Sequence, residues 1–253
     1  MRVFEQGSSL KEAREDREYR SIREERMEGF LSSLTDPLEN YPELMSIEEA
    51  CLEKYVPLIR PSMQRFLSFE MKARRPKRIL EIGTAVGFSS ILMAKNLLEF
   101  SDDFHIDTIE NYDVRIPEAE ANFKACGVED YITLHFGDAG EILRLMGEEK
   151  KQGDQGFGLH FHGPYDLIFM DAAKGQYPVW LPLLKDLMEK NTLLITDNVL
   201  QEGELVESHF AIHRRNRTIH KRVREYLYAL THDEDLQTEI LPIGDGLALT
   251  VLR

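Results

Sequence analysis

The residues of this chain best suited to chemistry are carboxylates that recur just after short apolar runs. Glu110 closes His105-Ile-Asp-Thr-Ile-Glu110, and Gly137-Asp138-Ala139 follows a run ending at Phe136. Asp171 follows Leu167-Ile-Phe-Met170, and Asp197-Asn198 follows Leu193-Leu-Ile-Thr196. A fifth acid, Glu81, lies within Arg78-Ile-Leu-Glu-Ile-Gly-Thr-Ala-Val-Gly-Phe-Ser-Ser90. Runs of this length read as strands buried on both faces. In an open α/β sheet, ligands bind outside the carboxyl ends of the strands. One acid at such an end is accounted for by a helix cap, which is the plain reading of Asp138. Five in succession are not, because like charges along one edge cost stability unless a cation or a hydroxyl-rich ligand offsets them. Glu110 is placed to accept hydrogen bonds from ribose hydroxyls. Asp171, Asp197 and Asn198 offer oxygen donors only, which suits magnesium or a similar divalent ion rather than zinc. Turn chemistry alone explains Asp197-Asn198, but not its coincidence with Asp171.

Gly83 and Gly87 punctuate the passage from the first apolar run to a helical pattern that includes Ile91, Leu92, Met93 and Ala94. A glycine turn ahead of a helix N-terminus presents free backbone N–H groups and the positive end of the helix dipole to a ligand. The spacing is G-x-x-x-G. It matches neither the dinucleotide fingerprint nor the phosphate loop, and no lysine follows to hold a triphosphate.

The elements needed to position these groups alternate along the chain. Strands are expected at Ile79–Ile82, His105–Glu110, Tyr131–Phe136, Tyr165–Met170, Thr192–Thr196, Thr238–Ile243 and Leu247–Leu252. Helices are expected near Val114–Cys126, Ala139–Met146, Pro178–Glu189 and Phe210–Leu230, with Gly147–Gly163 as a surface loop. Upstream, Ser46-Ile-Glu-Glu49 has the pattern of a capping box opening a helix to about Tyr55, and a second helix spans Ser62 to Ala73. Alternation implies right-handed crossovers and a mostly parallel sheet. The last two strands are separated only by a short turn around Gly244-Asp-Gly246, which requires an antiparallel hairpin. Residues 1–40 read as a charged, helical extension ahead of one domain over 41–253.

Composition narrows the function. The chain has 253 residues and a net charge of −14, which disfavours nonspecific attraction to nucleic acid. Two basic clusters interrupt the acidic average: Lys72, Arg74, Arg75, Lys77, Arg78, and the arginines from Arg214 to Arg224 with Lys221. They can bind a polyanion locally if they flank one site. Cys51 and Cys126 have no metal-ligand spacing, so a reducing compartment is the expectation. No apolar leader or membrane-length run is seen, and the expected location is cytoplasmic.

Glu81-Ile-Gly-Thr-Ala-Val-Gly-Phe-Ser89, Tyr165-Asp-Leu-Ile-Phe-Met-Asp-Ala-Ala-Lys-Gly-Gln-Tyr177 and Thr196-Asp-Asn-Val-Leu200 together resemble the cation-dependent class I O-methyltransferases, which include catechol and caffeoyl-CoA enzymes. Val56-Pro-Leu-Ile59, the arginine-rich helix and Ile243-Gly-Asp-Gly-Leu-Ala248 are similar to the branch that methylates 5-hydroxyuridine in bacterial tRNA. The resemblance covers about residues 45–253. It implies a Rossmann-like seven-stranded, mostly parallel sheet with a C-terminal antiparallel hairpin and helices on both faces. It implies S-adenosylmethionine over Gly83, beside Glu81, Thr84 and Ser89, with Ile59 closing the pocket. Glu110 would hold the ribose, Asp138 and Ala139 would border the adenine, and Asp171 would stand by the cofactor. Asp171, Asp197 and Asn198 would hold Mg2+ or a similar divalent ion. Asp171 and Lys174 would be the catalytic groups, Lys174 matching a lysine near the accepting oxygen. Arg60, Arg214, Arg215 and Arg217 would contact a tRNA anticodon loop; otherwise the acceptor is a small phenol and the arginines are surface. A homodimer is also implied. The chain departs from the pattern at residues 1–34, at the loop 147–163 and at Asn216, which interrupts the basic run.

Overall fold

The computed structural model describes residue 23 and residues 26–152, 162–208 and 211–253. Most of the charged extension therefore lies outside the described residues. Its described part is a helix over residues 26–34, α1, joined to the body by an ion pair between Arg65 and Glu28 at 2.5 Å.

The helices α2 (Pro42–Glu53) and α3 (Pro61–Arg74) precede β1 (Arg78–Ile82). Alternation follows through α4 (Phe88–Leu98), β2 (His105–Glu110), α5 (Ile116–Ala125), β3 (Ile132–Phe136), α6 (Ala139–Gln152), β4 (Leu167–Met170), α7 (Tyr177–Leu187) and β5 (Leu193–Thr196). The chain ends with α8 (Arg217–His232), β6 (Leu236–Leu241) and β7 (Leu247–Leu252). The seven strands lie in the order β3-β2-β1-β4-β5-β7-β6. The first five are parallel, and β7 runs antiparallel to both β5 and β6.

The period-two alternation of strand side chains explains why the apolar runs are continuous. Ile79, Leu167, Phe169, Leu193 and Ile195 point into one core layer, packed under α2 to α5. Leu80, Ile82, Ile168, Met170 and Leu194 point into the other, under α6 to α8. Emptying one such position, for instance Phe169→Ala, costs about 3–5 kcal/mol.

After β3 the chain crosses back past β2 and β1 to lay down β4, so neighbouring β1 and β4 send their connections opposite ways. That reversal opens a crevice at their carboxyl ends. Gly83 and Asp171 are the first residues beyond those two ends.

Several boundaries differ from the expectation. The α2 helix starts at Pro42, with Tyr41 as its N-cap. Proline is favoured in the first helical turn, so the Ser46 capping box is overridden, and Ser46 Oγ instead donates to the Pro42 carbonyl inside the helix. The α6 helix continues to Gln152, where a loop was expected from Gly147. Lys150 and Lys151 anchor that extra turn to Glu189 and Asp186; residues 153–161 lie outside the described residues. The arginine helix begins at Arg217, not at Phe210, behind a single 3₁₀ turn over Arg214–Asn216. The β6 strand spans Leu236–Leu241, two residues earlier than expected, so the hairpin loop is longer than Gly244–Gly246.

Candidate active site at the strand carboxyl ends

The glycine turn is built for close approach. The N–H groups of Gly83 and Thr84 both donate to the Ile109 carbonyl, at 3.0 and 3.3 Å, tying the end of β1 to the end of β2. Gly83 has φ +106°, and a side chain there would overlap the backbone carbonyl of Asp171. Gly87 has φ +83°, and a side chain there would overlap the Phe123 ring. Both positions demand glycine for packing as well as conformation. The α4 helix starts immediately afterwards, at Phe88.

Glu81 and Glu110 have different environments. Glu81 is fully buried beneath the turn. It accepts hydrogen bonds from Ser89 at 2.5 Å, from Thr108 at 2.6 Å and from Ser90. Burial pushes its carboxyl up to about 7; the three hydroxyls oppose that shift, and the Asp171 charge adds to it. Glu81 and Ser89 therefore support the turn from below, and the buried Thr84 joins them through a 2.7 Å hydroxyl contact with Thr108. Glu110 is half-buried at the surface. It accepts backbone N–H bonds from Ala85, Asn111 and Tyr112 at 2.8, 2.9 and 2.8 Å. A carboxylate has about four lone-pair sites, so a fixed acceptor is left to meet a hydroxyl from outside.

The chain's own residues fit an adenosyl ligand there. A pre-oriented carboxylate at the tip of β2, a glycine turn and two helix N-termini converge on one edge. The second helix N-terminus is that of α6, where Asp138 Oδ1 accepts the Glu141 N–H at 3.1 Å and so caps the helix. Ala139 is buried as its first residue. Trp180, the chain's single tryptophan, packs against Gly140 in the same turn, a neighbour that sequence reasoning had missed. Ile59 is buried in the core layer under α2 to α5.

The oxygen donors meet at the ends of β4 and β5. Asp171 donates its N–H to Ile82 and Asp197 donates its N–H to Met170, each at 3.0 Å, so each strand end is stapled to the one before it. Asn198 is in the left-handed region, φ +55°, a conformation asparagine tolerates. Its N–H donates to Asp197 Oδ1 at 2.6 Å. Lys174 Nζ donates to Asn198 Oδ1 at 3.2 Å. Burial raises the Asp171 carboxyl above the usual aspartate range, opposed by Lys174. Asp197 is pushed up to about 7, first by burial and then by the Asp171 charge. Asn198 N–H and Lys174 hold it down; Asp245, on the β6–β7 loop, adds to the rise.

That arrangement fits a hard divalent cation. Two carboxylates repel one another in a partly dry pocket, and an ammonium group already sits on the amide oxygen. A cation among Asp171, Asp197 and Asn198 relieves that repulsion with oxygen donors alone. Two supporting residues were not legible beforehand. The buried Tyr177 hydroxyl lies 3.4 Å from the Ala172 and Asp197 carbonyl oxygens and bridges the two strand ends. Asp245 comes into range because Val199 and Leu200 donate to the Gly246 and Asp245 carbonyls, at 3.0 and 2.8 Å.

The basic clusters separate. Lys72, Arg74, Arg75, Lys77 and Arg78 lie at or before the start of β1, the sheet edge opposite the site. Lys72 pairs with Glu99, Lys77 with Asp103, and Arg75 stacks over Phe100. The expectation that both clusters could flank one site is corrected: charge alone ignored the strand direction. The arginine helix does reach the site. Arg222 donates to the Gly175 carbonyl at 2.7 Å, in the turn that carries Lys174. Arg224 donates to Leu205, and Arg217 to Ile212 at 3.1 Å, so these two also serve the fold. Arg214 and Arg215 are exposed. Arg60 is exposed beside Gly244 of the hairpin loop. No helix among the described residues is long and apolar enough to cross a membrane.

Residues 39–253 match the model of a family described as O-methyltransferase. A caffeoyl-CoA O-methyltransferase of Citrus natsudaidai is 31% identical over 191 residues, covering 74% of this chain and 75% of the relative. The structure of a Staphylococcus aureus protein provisionally named a caffeoyl-CoA O-methyltransferase superposes with a TM-score of 0.76 at 27% identity, over 89% of this chain and 99% of that one. A Bacillus cereus O-methyltransferase solved in complex with SAH has the same fold, with a TM-score of 0.75 at 21% identity over 90% of this chain and 97% of that one. With the topology, the glycine turn and the strand-end carboxylates all in place, the chain belongs to the S-adenosylmethionine-dependent O-methyltransferase family of the caffeoyl-CoA and catechol type.

Proposed function

We propose that this chain methylates the 5-oxygen of 5-hydroxyuridine at the wobble position of tRNA, giving 5-methoxyuridine, and that it does so with a divalent cation. S-adenosylmethionine would supply a sulfonium-activated methyl group, and Asp171, Asp197 and Asn198 would hold a cation whose Lewis acidity would make the acceptor hydroxyl easier to ionise. An oxygen–carbon bond forms, the carbon–sulfur bond breaks, and the hydroxyl proton leaves for solvent. The protein's task is alignment of acceptor and donor. Glu110, fixed by three backbone N–H groups, would hold the donor's ribose. The glycine turn brings the donor against the β4 end, and Lys174 orients Asn198.

The observation that supports an RNA acceptor is the exposure of Arg60, Arg214 and Arg215 around the same sheet edge as the carboxylates, with α8 bonded through Arg222 to the Lys174 turn. Anticodon loops offer splayed bases on an anionic backbone, the form in which RNA sequence is read. In 5-hydroxyuridine the 5-oxygen adjoins the 4-carbonyl, so two oxygens can face one cation, as in a catechol.

A second reading follows from the relatives. The Citrus natsudaidai protein is named for caffeoyl-CoA, and coenzyme A carries phosphates that the same arginines would neutralise. Nucleoside mass spectrometry of tRNA from a strain lacking this gene separates the two. Accumulated 5-hydroxyuridine with missing 5-methoxyuridine supports the RNA acceptor; an unchanged nucleoside profile favours the phenol.

A further inference from the structure

A second cluster of ligand-type side chains lies at the opposite edge of the sheet. His105 is the first residue of β2, Asp107 lies two residues on, and His162 precedes β4. One ligand atom from each of the three falls within 4.8 Å of the others. Asp107 is fully buried. Its Oδ1 accepts from His162 Nδ1 at 2.9 Å and from His135 Nε2 at 2.8 Å, and its Oδ2 accepts from the Tyr165 hydroxyl at 2.9 Å. The His105 and His162 rings lie with centroids 3.9 Å apart and planes tilted by 39°. The His162 side chain is 31% exposed, so an ion has a way in from solvent.

We propose that His105, Asp107 and His162 form a metal site, distinct from the oxygen-only site at the carboxyl ends, that takes a zinc-type transition ion. Two imidazoles and a carboxylate suit zinc, cobalt or nickel rather than magnesium. Metal–ligand bonds of about 2.0–2.2 Å put tetrahedral ligand atoms about 3.3–3.6 Å apart, so the three side chains draw inward around the ion. The ion takes the place of the proton between His162 and Asp107, and that proton moves to the other ring nitrogen, Nε2, so that a neutral imidazole is the ligand. Outer partners are already present. Tyr165 holds the second carboxylate oxygen, and His105 Nε2 makes a 2.9 Å contact with Thr133 Oγ1 that fixes its ring. Water completes the coordination on the exposed side. The site clips β2 to the segment entering β4, two strands that lie on either side of β1. Its role is structural.

Cobalt(II) titration of the full chain tests the proposal, because four-coordinate cobalt absorbs strongly in the visible region. The expected result is one equivalent of such absorption, retained in Asp197→Ala and weakened at least about 10-fold in affinity in His105→Ala and His162→Ala. Zinc is expected to raise the melting midpoint of the wild type and of Asp197→Ala, but not that of His162→Ala. The proposal is overturned if the wild type shows no four-coordinate absorption, if the absorption persists in both histidine variants, or if Asp197→Ala alone removes it.

Discussion

The backbone of Gly83 lies directly against the backbone carbonyl of Asp171, leaving no room for a side chain between the turn after β1 and the end of β4. One contact thus fixes the glycine turn, where we propose the methyl donor binds, relative to Asp171, the first carboxylate of the proposed cation site. Gly83→Ala adds a methyl group where φ is +106° and the carbonyl blocks it. The expected cost is about 2 kcal/mol or more, from backbone strain and overpacking together, read from denaturant midpoints. Methyl transfer should fall further than the lost stability accounts for, because Asp171 is displaced.

Asp197→Ala removes one of the three oxygen donors, the one whose carboxyl is pushed up by burial and by the Asp171 charge. Transfer should drop about 100-fold or more, equivalent to about 3 kcal/mol of barrier. Binding of S-adenosylhomocysteine, measured by calorimetry, should change only a few-fold, since Glu110 and the glycine turn are intact. Full activity of the wild type in metal-free buffer would remove the cation from the account.

Glu81 makes stability fall as the pH rises. Its carboxyl is raised from 4.5 to about 7 by burial, so between those values the folded protein holds a proton that the unfolded chain has released. Stability from this group is complete below about pH 4.5 and is lost as the pH climbs through 7, by on the order of 3 kcal/mol. Glu81→Gln keeps the shape and removes the titration. Its melting midpoint should be flatter than the wild type's between pH 4.5 and 7; parallel curves would contradict the assignment.

Arg214 and Arg215 test the acceptor. Reversing both to glutamate should weaken tRNA methylation while leaving S-adenosylhomocysteine binding unchanged. It should also flatten the dependence of log affinity on log salt by about 1.4, at about 0.7 for each single-strand phosphate that is no longer neutralised. An unchanged slope would make these arginines ordinary surface residues.

Much of the site was legible because strand ends announce themselves in sequence. Glu110, Asp171 and Asp197 each terminate or follow an apolar run whose length only a doubly buried strand explains, and the sheet puts those ends side by side. The bounds of β2 and β7 could be read directly for the same reason. Tertiary contacts were not legible. Gly147 reads as a helix breaker, yet α6 passes through it because Lys150 and Lys151 find partners around α7. Tyr177 and Asp245 reach the carboxylates at the ends of β4 and β5 across loops that no local pattern links to them. The buried Glu81 carboxylate accepts from the Ser89, Ser90 and Thr108 hydroxyls, a network that no local pattern shows. Charge clustering misled at Lys72–Arg78, since residues near in sequence to the glycine turn sit a full strand length away from it.

The central claim is the acceptor, and one assay measures it. The purified chain is supplied with S-adenosylmethionine, magnesium and an equal choice of tRNA bearing 5-hydroxyuridine, caffeoyl-CoA and catechol, and each product is followed by mass. The expected result is a gain of one methyl group on 5-hydroxyuridine, abolished by chelator, with the phenols left largely unmodified. Methylation of a phenol with the tRNA untouched would contradict the account.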